Sequence, residues 1–231
     1  MYFTDSRLMF LHPTKTGGST VEHHLMQELK DSILPRSLAS LQYLNEDSHD
    51  ERHAFKSRIM FGNYQTKDFP RISLQHACFT LARRLMGPTL FDSAKKVAIV
   101  RNPYMRIVSL FYFYGFNTES TLAKFVHDRL PLFARASSQL AVNLAAKQTL
   151  YTHQDGAVAV DLILRQEQME ESVSKLAEFL DAPIRYQPRA RFRKSKASLD
   201  FDNYMDAYDE RTRLIVADLY ADDFRLLGYE P

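Results

Sequence analysis

"RLMFLHPTKTGGSTVEHHLMQEL", Arg7–Leu29, is the stretch on which the reading of the fold turns. Its first six residues, Arg7 to His12, read as a short buried strand. After Gly18 the pattern changes. Val21, Leu25, Leu29 and Ile33 recur every four residues, with Met26 beside them, which predicts a helix. Ser19 or Thr20 is the expected cap at its start. A strand, a glycine turn and a helix start in this order point free backbone N–H groups at an anion. The turn itself, "HPTKTGGST", is not the common nucleotide loop G-x-x-x-x-G-K-[ST], because Lys15 precedes its glycines. The N–H groups of Thr16, Gly17, Gly18, Ser19 and Thr20 can wrap a phosphate while Lys15 neutralises it. The plainer alternative is a glycine turn with a solvent-facing lysine.

Further along, "KVAIV" at 96–100 reads as a central strand and runs directly into "RNP". The segment "YMRIVSLFYFYGF" that follows is apolar nearly all round, as a buried helix is. Arg101 therefore stands just past a strand end, where open α/β sheets bind ligands. It can grip a phosphate with two donors, and Ser109 can add a hydroxyl. The alternative is an arginine capping carbonyls and a serine filling a helix contact. A helix marked by Leu74, Cys78, Leu81 and Leu85 is expected from Ser73 to Gly87-Pro88. More helix is expected over 119–130 and 134–148. "VDLILR", 160–165, is another strand, followed by a helix over 167–180 and helices built on Tyr204–Tyr220. Strands alternating with helices predict an α/β fold: one domain over 1–231, with a central parallel sheet flanked by helices on both faces.

The 231 residues are enough to bury a sizeable core. Lys plus Arg minus Asp plus Glu is 30 − 28 = +2, which does not fit a general nucleic-acid binder. Cys78 is alone, so no intrachain disulfide can form. No apolar run is long enough to span a membrane, and the first ten residues carry Asp5 and Arg7. The expectation is a cytoplasmic protein.

Taken together, "FLHPTKTGGST" and "RNPYMRIVSLFY" resemble the two cofactor signatures of sulfotransferases that use 3′-phosphoadenosine 5′-phosphosulfate (PAPS). The likeness is greatest to the carbohydrate sulfotransferases related to heparan sulfate O-sulfotransferases. "QHACFTLARRLMG" resembles a third family segment, His-Ala-x-x ahead of an amphipathic helix. "LILRQEQMEESVSKLAEFLDAP" and "LYADDFRLLGYEP" look like the family's C-terminal half. The resemblance covers nearly the whole chain and fades over 31–70. It implies a P-loop-like sulfotransferase fold that transfers a sulfuryl group to a hydroxyl on a carbohydrate acceptor. In that reading Lys15 to Thr20 hold the 5′-phosphosulfate, and Arg101 and Ser109 hold the 3′-phosphate. Lys15 reaches the bridging oxygen, where charge grows as the S–O bond breaks. No metal is implied. The family usually has proline directly before the lysine; here Pro13 is one position earlier and Thr14 intervenes.

An acceptor hydroxyl must lose its proton, and histidine suits that task near neutrality. Of eight histidines, His76 lies off the apolar stripe of its expected helix, so it need not be buried in the core, and it matches the family position. Glu22 is the weaker candidate base. "HDERH", His49 to His53, has the i, i+4 spacing of a zinc helix but lacks the Glu that a metalloprotease needs after its first His. The run "RYQPRARFRKSK", 185–196, carries six basic residues and no acid, with too few aromatics for an RNA-binding surface. A family loop there closes over the nucleotide, which implies Lys194 and Ser195 near the 3′-phosphate; a solvated loop is the alternative. Two other functions stay open: a nucleotide-dependent kinase, and an inactive nucleotide- or glycan-binding relic of the fold.

Overall fold

The computed structural model of the chain describes residues 1–29, 63–64, 72–73, 76–135, 144–187 and 201–231. Four strands form the main sheet: β1 (Tyr2–Phe3), β2 (Leu8–Leu11), β3 (Lys95–Val100) and β4 (Leu162–Arg165), side by side in that order. β2, β3 and β4 are parallel, as expected. β1 is an antiparallel edge strand that the sequence reading did not include.

Successive strand residues point to opposite faces, and both faces are covered, so the central strands are apolar throughout. On one face Leu8, Phe10, Val97, Ile99 and Leu164 pack against Val21 and Leu25 of α1 (Gly18–Glu28) and Val173 and Leu176 from the helix at 169–180. On the other, Met9, Leu11 and Ala98 pack against Phe79, Ala82 and Met86 of α2 (Phe79–Met86), with Phe91 and Tyr151. A third cluster joins Tyr104, Ile107, Val108 and Phe111 of α3 (Pro103–Phe113) to Val216, Tyr220 and Phe224 near the C-terminus. The helix at 169–180 is α4 (Met169–Leu180); α5 (Glu210–Leu219) and α6 (Ala221–Leu227) follow it. Among the described residues no helix is long and apolar enough to cross a membrane.

Three local expectations are corrected. The cap of α1 is Gly17, in the left-handed region at φ 81°, and neither Ser19 nor Thr20 caps it. The Gly17 carbonyl accepts from Thr20 and Val21, so Ser19 is already inside the first turn. The helix expected over 119–130 starts only at Leu122, where the Thr121 hydroxyl accepts from the Lys124 amide at 3.2 Å, and it widens into a π turn at Phe125–Arg129. The helix expected over 134–148 is not continuous to its end. Ala146 and Lys147 leave helical geometry where tertiary partners take backbone groups: Arg106 donates to the Ala146 carbonyl and Asp223 accepts from the Gln148 amide. A short helix, Thr149–Thr152, follows.

Candidate active site

The three parallel strands end side by side. The pairing Leu11↔Ala98 and Val100↔Arg165 brings the loop after β2, Arg101 after β3 and Gln166-Glu167 after β4 to one edge of the sheet. This is the edge at which open α/β sheets bind ligands.

In the first loop the carbonyls are tied down one after another. The Thr16 hydroxyl donates to the Pro13 carbonyl at 2.9 Å, Arg106 Nε to Thr14 at 3.0 Å, and Arg101 Nη1 to Lys15 at 3.2 Å. The amides of Thr16, Gly17, Gly18 and Ser19 donate to no acceptor among the described residues. A row of such donors at a helix start is an anion cradle. Both glycines are required here. A Cβ on Gly17 would lie 2.7 Å from Met169 Cε, in a backbone conformation side chains rarely adopt. A Cβ on Gly18 would lie 2.1 Å from Nδ1 of His12. Lys15 also has a positive φ, 69°, and its ammonium rests 3.8 Å from the centre of the Phe113 ring. Ser19 is exposed and Thr20 half-buried at the start of α1.

The "RNP" run resolves into three jobs. Arg101 ends the strand. Asn102 caps α3, accepting from the Tyr104 amide at 2.9 Å, and Pro103 takes the first helical position, where a missing N–H costs nothing. Arg101 is buried, and burial pushes its pKa down to about 10 against the pull of Glu167, so it stays cationic at neutral pH. Gln148 pins its backbone: Oε1 accepts from the Arg101 amide at 2.8 Å and Nε2 donates to its carbonyl at 2.6 Å. Asp223 in turn accepts from the amides of Gln148 at 2.9 Å and Thr149 at 3.0 Å. Ser109 is half-buried on α3. It stands three residues after Arg106 and four before Phe113, and both of those touch the first loop, so Ser109 shares the helix face turned to that loop.

The sequence reading did not single out Arg106, Gln148 or Asp223. Arg106 is 1% exposed, and besides Thr14 it donates to the Ala146 carbonyl at 2.8 Å. A lone charge in an otherwise apolar helix was the available signal. Gln148 and Asp223 carried none, since nothing in their local patterns points to a partner.

His76 precedes α2 rather than lying on it, and it is partly enclosed. Its Nδ1 donates to the His12 carbonyl at 3.3 Å, which leaves the Nε2 lone pair as the basic site. Its ring meets the His12 ring edge to face, 4.8 Å between centres. The Tyr151 hydroxyl donates to the His76 carbonyl at 3.0 Å. Burial and then the charge of His12 lower the His76 pKa to about 3, so the ring is neutral at physiological pH. Glu22 is not presented as a base: it is 1% exposed and bound through Oε1 to His12 Nε2 at 3.1 Å. Lys194, Ser195 and the His49–His53 run lie outside the described residues.

The structure thus brings Lys15 through Thr20, Arg101 and the face of α3 bearing Ser109 to one edge, with His76 against the start of the first loop. No curated protein and no solved structure gave a significant match to the chain. A family model described as "Sulfotransferase family" matches residues 1–230, so the chain belongs to the sulfotransferase family.

Proposed function

We propose that this chain transfers a sulfuryl group from PAPS to a hydroxyl group, on a carbohydrate, with His76 as general base. The observation that carries the reading is the cradle of amides at Thr16–Ser19, flanked by two cations on neighbouring strand ends, Lys15 and Arg101. The co-substrate supplies the sulfuryl group and departs as adenosine 3′,5′-bisphosphate. The loop amides, with the hydroxyls of Ser19 and Thr20 beside them, hold its 5′-phosphate. Arg101 and Ser109 hold its 3′-phosphate. Lys15 leaves the Phe113 ring to meet the oxygen on which charge develops, an interaction worth more in the transition state than before it. His76, neutral and with Nε2 unprotonated, takes the acceptor's proton. Lys194 and Ser195 would close over the nucleotide, as the family resemblance implies.

Titration with adenosine 3′,5′-bisphosphate, 5′-AMP and ATP tests the nucleotide side. The bisphosphate is expected to bind best. The preference over 5′-AMP should be about 1.5–3 kcal/mol, the size of a charge-assisted contact, and Arg101→Ala should erase most of it. Equal affinity for bisphosphate and 5′-AMP refutes the assignment, and tighter binding of ATP favours a kinase. Turnover of PAPS with a panel of sugars then separates an enzyme from an inactive relic.

A further inference from the structure

A buried carboxylate beside an anion-binding loop is costly unless it serves something. Glu22 is such a group, and the histidine it binds lies against the base. We infer that Glu22 and His12 are a positioning pair that holds His76 in its Nδ1–H tautomer, with the Nε2 lone pair kept for the acceptor. The inference rests on the proposed role of His76.

Three observations carry it. First, both nitrogens of His12 face acceptors: Nε2 faces the Glu22 carboxylate at 3.1 Å, and Nδ1 the Pro13 carbonyl at 3.3 Å. A carbonyl cannot donate, so Nδ1 carries a proton, and with Glu22 ionised both contacts are hydrogen bonds only when His12 carries two protons. His12 is then a cation neutralised by Glu22, both almost fully enclosed. Second, the ring is built into the loop. It fills the space that a Cβ on Gly18 would need, so Gly18 is absent a side chain because His12 is present. Third, His12 meets His76 twice, through its carbonyl on Nδ1 and through its ring.

The geometry has two effects on the base. The carbonyl selects the tautomer. The His12 charge opposes a second proton on His76, as do the Arg106 guanidinium and, below about pH 6 where burial lets it take its proton, the Met1 amino group. Among the described residues the Tyr151 hydroxyl bonds the His76 carbonyl and not its ring. Glu22 thus acts at a distance: it keeps His12 charged, and His12 keeps His76 neutral and aimed.

The test starts with the intact chain labelled with 15N-histidine, with His12 and His76 signals assigned through His12→Gln and His76→Gln. At pH 7 the wild type should show His76 protonated on Nδ1 alone and His12 protonated on both nitrogens. His76 protonated on Nε2, or a neutral His12, overturns the inference, and neither reading depends on turnover. Glu22→Gln, which keeps shape and removes charge, should then cut kcat by about 10–100-fold, the usual worth of an outer partner of a functional histidine. It should also move the acidic limb of the kcat/KM profile to higher pH, because His12 loses its charge and His76 becomes easier to protonate. Glu22→Asp, which keeps the charge, should leave that limb near its wild-type position. A uniform loss of rate in Glu22→Gln with an unmoved limb means that the pair is only structural. Absence of any sulfuryl transfer by the wild type refutes the proposed function while the nuclear magnetic resonance result still stands or falls by itself.

Discussion

The two sides of the candidate site hold charge in opposite ways. Around Thr16–Ser19 the donors are backbone amides, supplied by a tight turn into a helix, and the side chains mostly support the turn. At Arg101 the donor is a side chain, and what supports it comes from distant parts of the chain: Gln148 is 47 residues away, and Asp223 lies a further 75 beyond Gln148. A backbone cradle is damaged by adding atoms to it. A side-chain grip is damaged by removing its supports. Variants on each side are therefore expected to fail differently.

The largest effect is expected at His76, which sits against the loop side. His76→Ala should fold and bind adenosine 3′,5′-bisphosphate normally, yet turn over about 10²–10⁴-fold more slowly. Near-normal turnover with that variant removes the base from this residue. The same ring has a signature in stability. Its pKa is about 3 in the folded chain and 6.5 as the reference value, so between these values the unfolded state binds the extra proton. The His76 contribution to stability should be fully present above pH 6.5 and be lost as the pH drops towards 3, and His76→Gln should flatten that part of the slope in acid-denaturation curves.

Lys15 comes next. Lys15→Ala should lower kcat by about 10²–10³-fold, the cost of losing one donor to developing charge, with a smaller loss of bisphosphate affinity because the amides remain. Lys15→Arg should rescue only in part, since a planar guanidinium cannot follow one oxygen as a compact ammonium can. An unchanged kcat with a sharply raised Kd would reduce Lys15 to an anchor.

Gly18→Ala sharpens the contrast most directly. Its Cβ would meet Nδ1 and Cγ of His12 at 2.1 and 2.2 Å, and these ring atoms cannot yield without moving the ring. Thermal or urea unfolding should show a loss of about 1–3 kcal/mol, the usual cost of overpacking. Full stability would mean that His12 is not where the loop needs the glycine.

On the other side, Gln148→Ala strips both partners from the Arg101 backbone. Leaving those buried groups unsatisfied should cost about 1–3 kcal/mol of stability. It should also weaken the preference for a 3′-phosphate, although Gln148 is not expected to touch the nucleotide. Retention of that preference alongside the stability loss would show that Arg101 needs no pinning. The smallest effect is expected at Ser19. Because Gly17 and not Ser19 caps α1, Ser19→Ala should change stability by no more than about 0.5 kcal/mol. A loss near 1 kcal/mol, the value of a hydroxyl cap, would restore Ser19 to that role.

What the sequence by itself determined are the features whose causes lie within a few residues. The strand into Leu11, the glycine turn and the helix from Gly18 follow from apolar runs, from glycine's freedom at φ 81° and from the change of periodicity from strand to helix. The strand into Val100 and the helix after "RNP" follow in the same way, with Asn102 and Pro103 acting locally at the helix start. Those two segments carry Lys15 to Thr20, Arg101 and Ser109, so most of the candidate site was legible. What only the tertiary structure decided are contacts across long loops of chain: Arg106 on Thr14 across 92 residues, Arg101 on Lys15 across 86, and His76 on His12 across 64. The His12–Glu22 pair spans only 10 residues, yet its meaning too depends on where His76 arrives. The physical reason is common to all of them. A turn or a cap is selected by its own residues' dihedral preferences. A buried donor is satisfied by whichever carbonyl the folded chain brings within about 3 Å, and nothing in the local pattern specifies which one that will be.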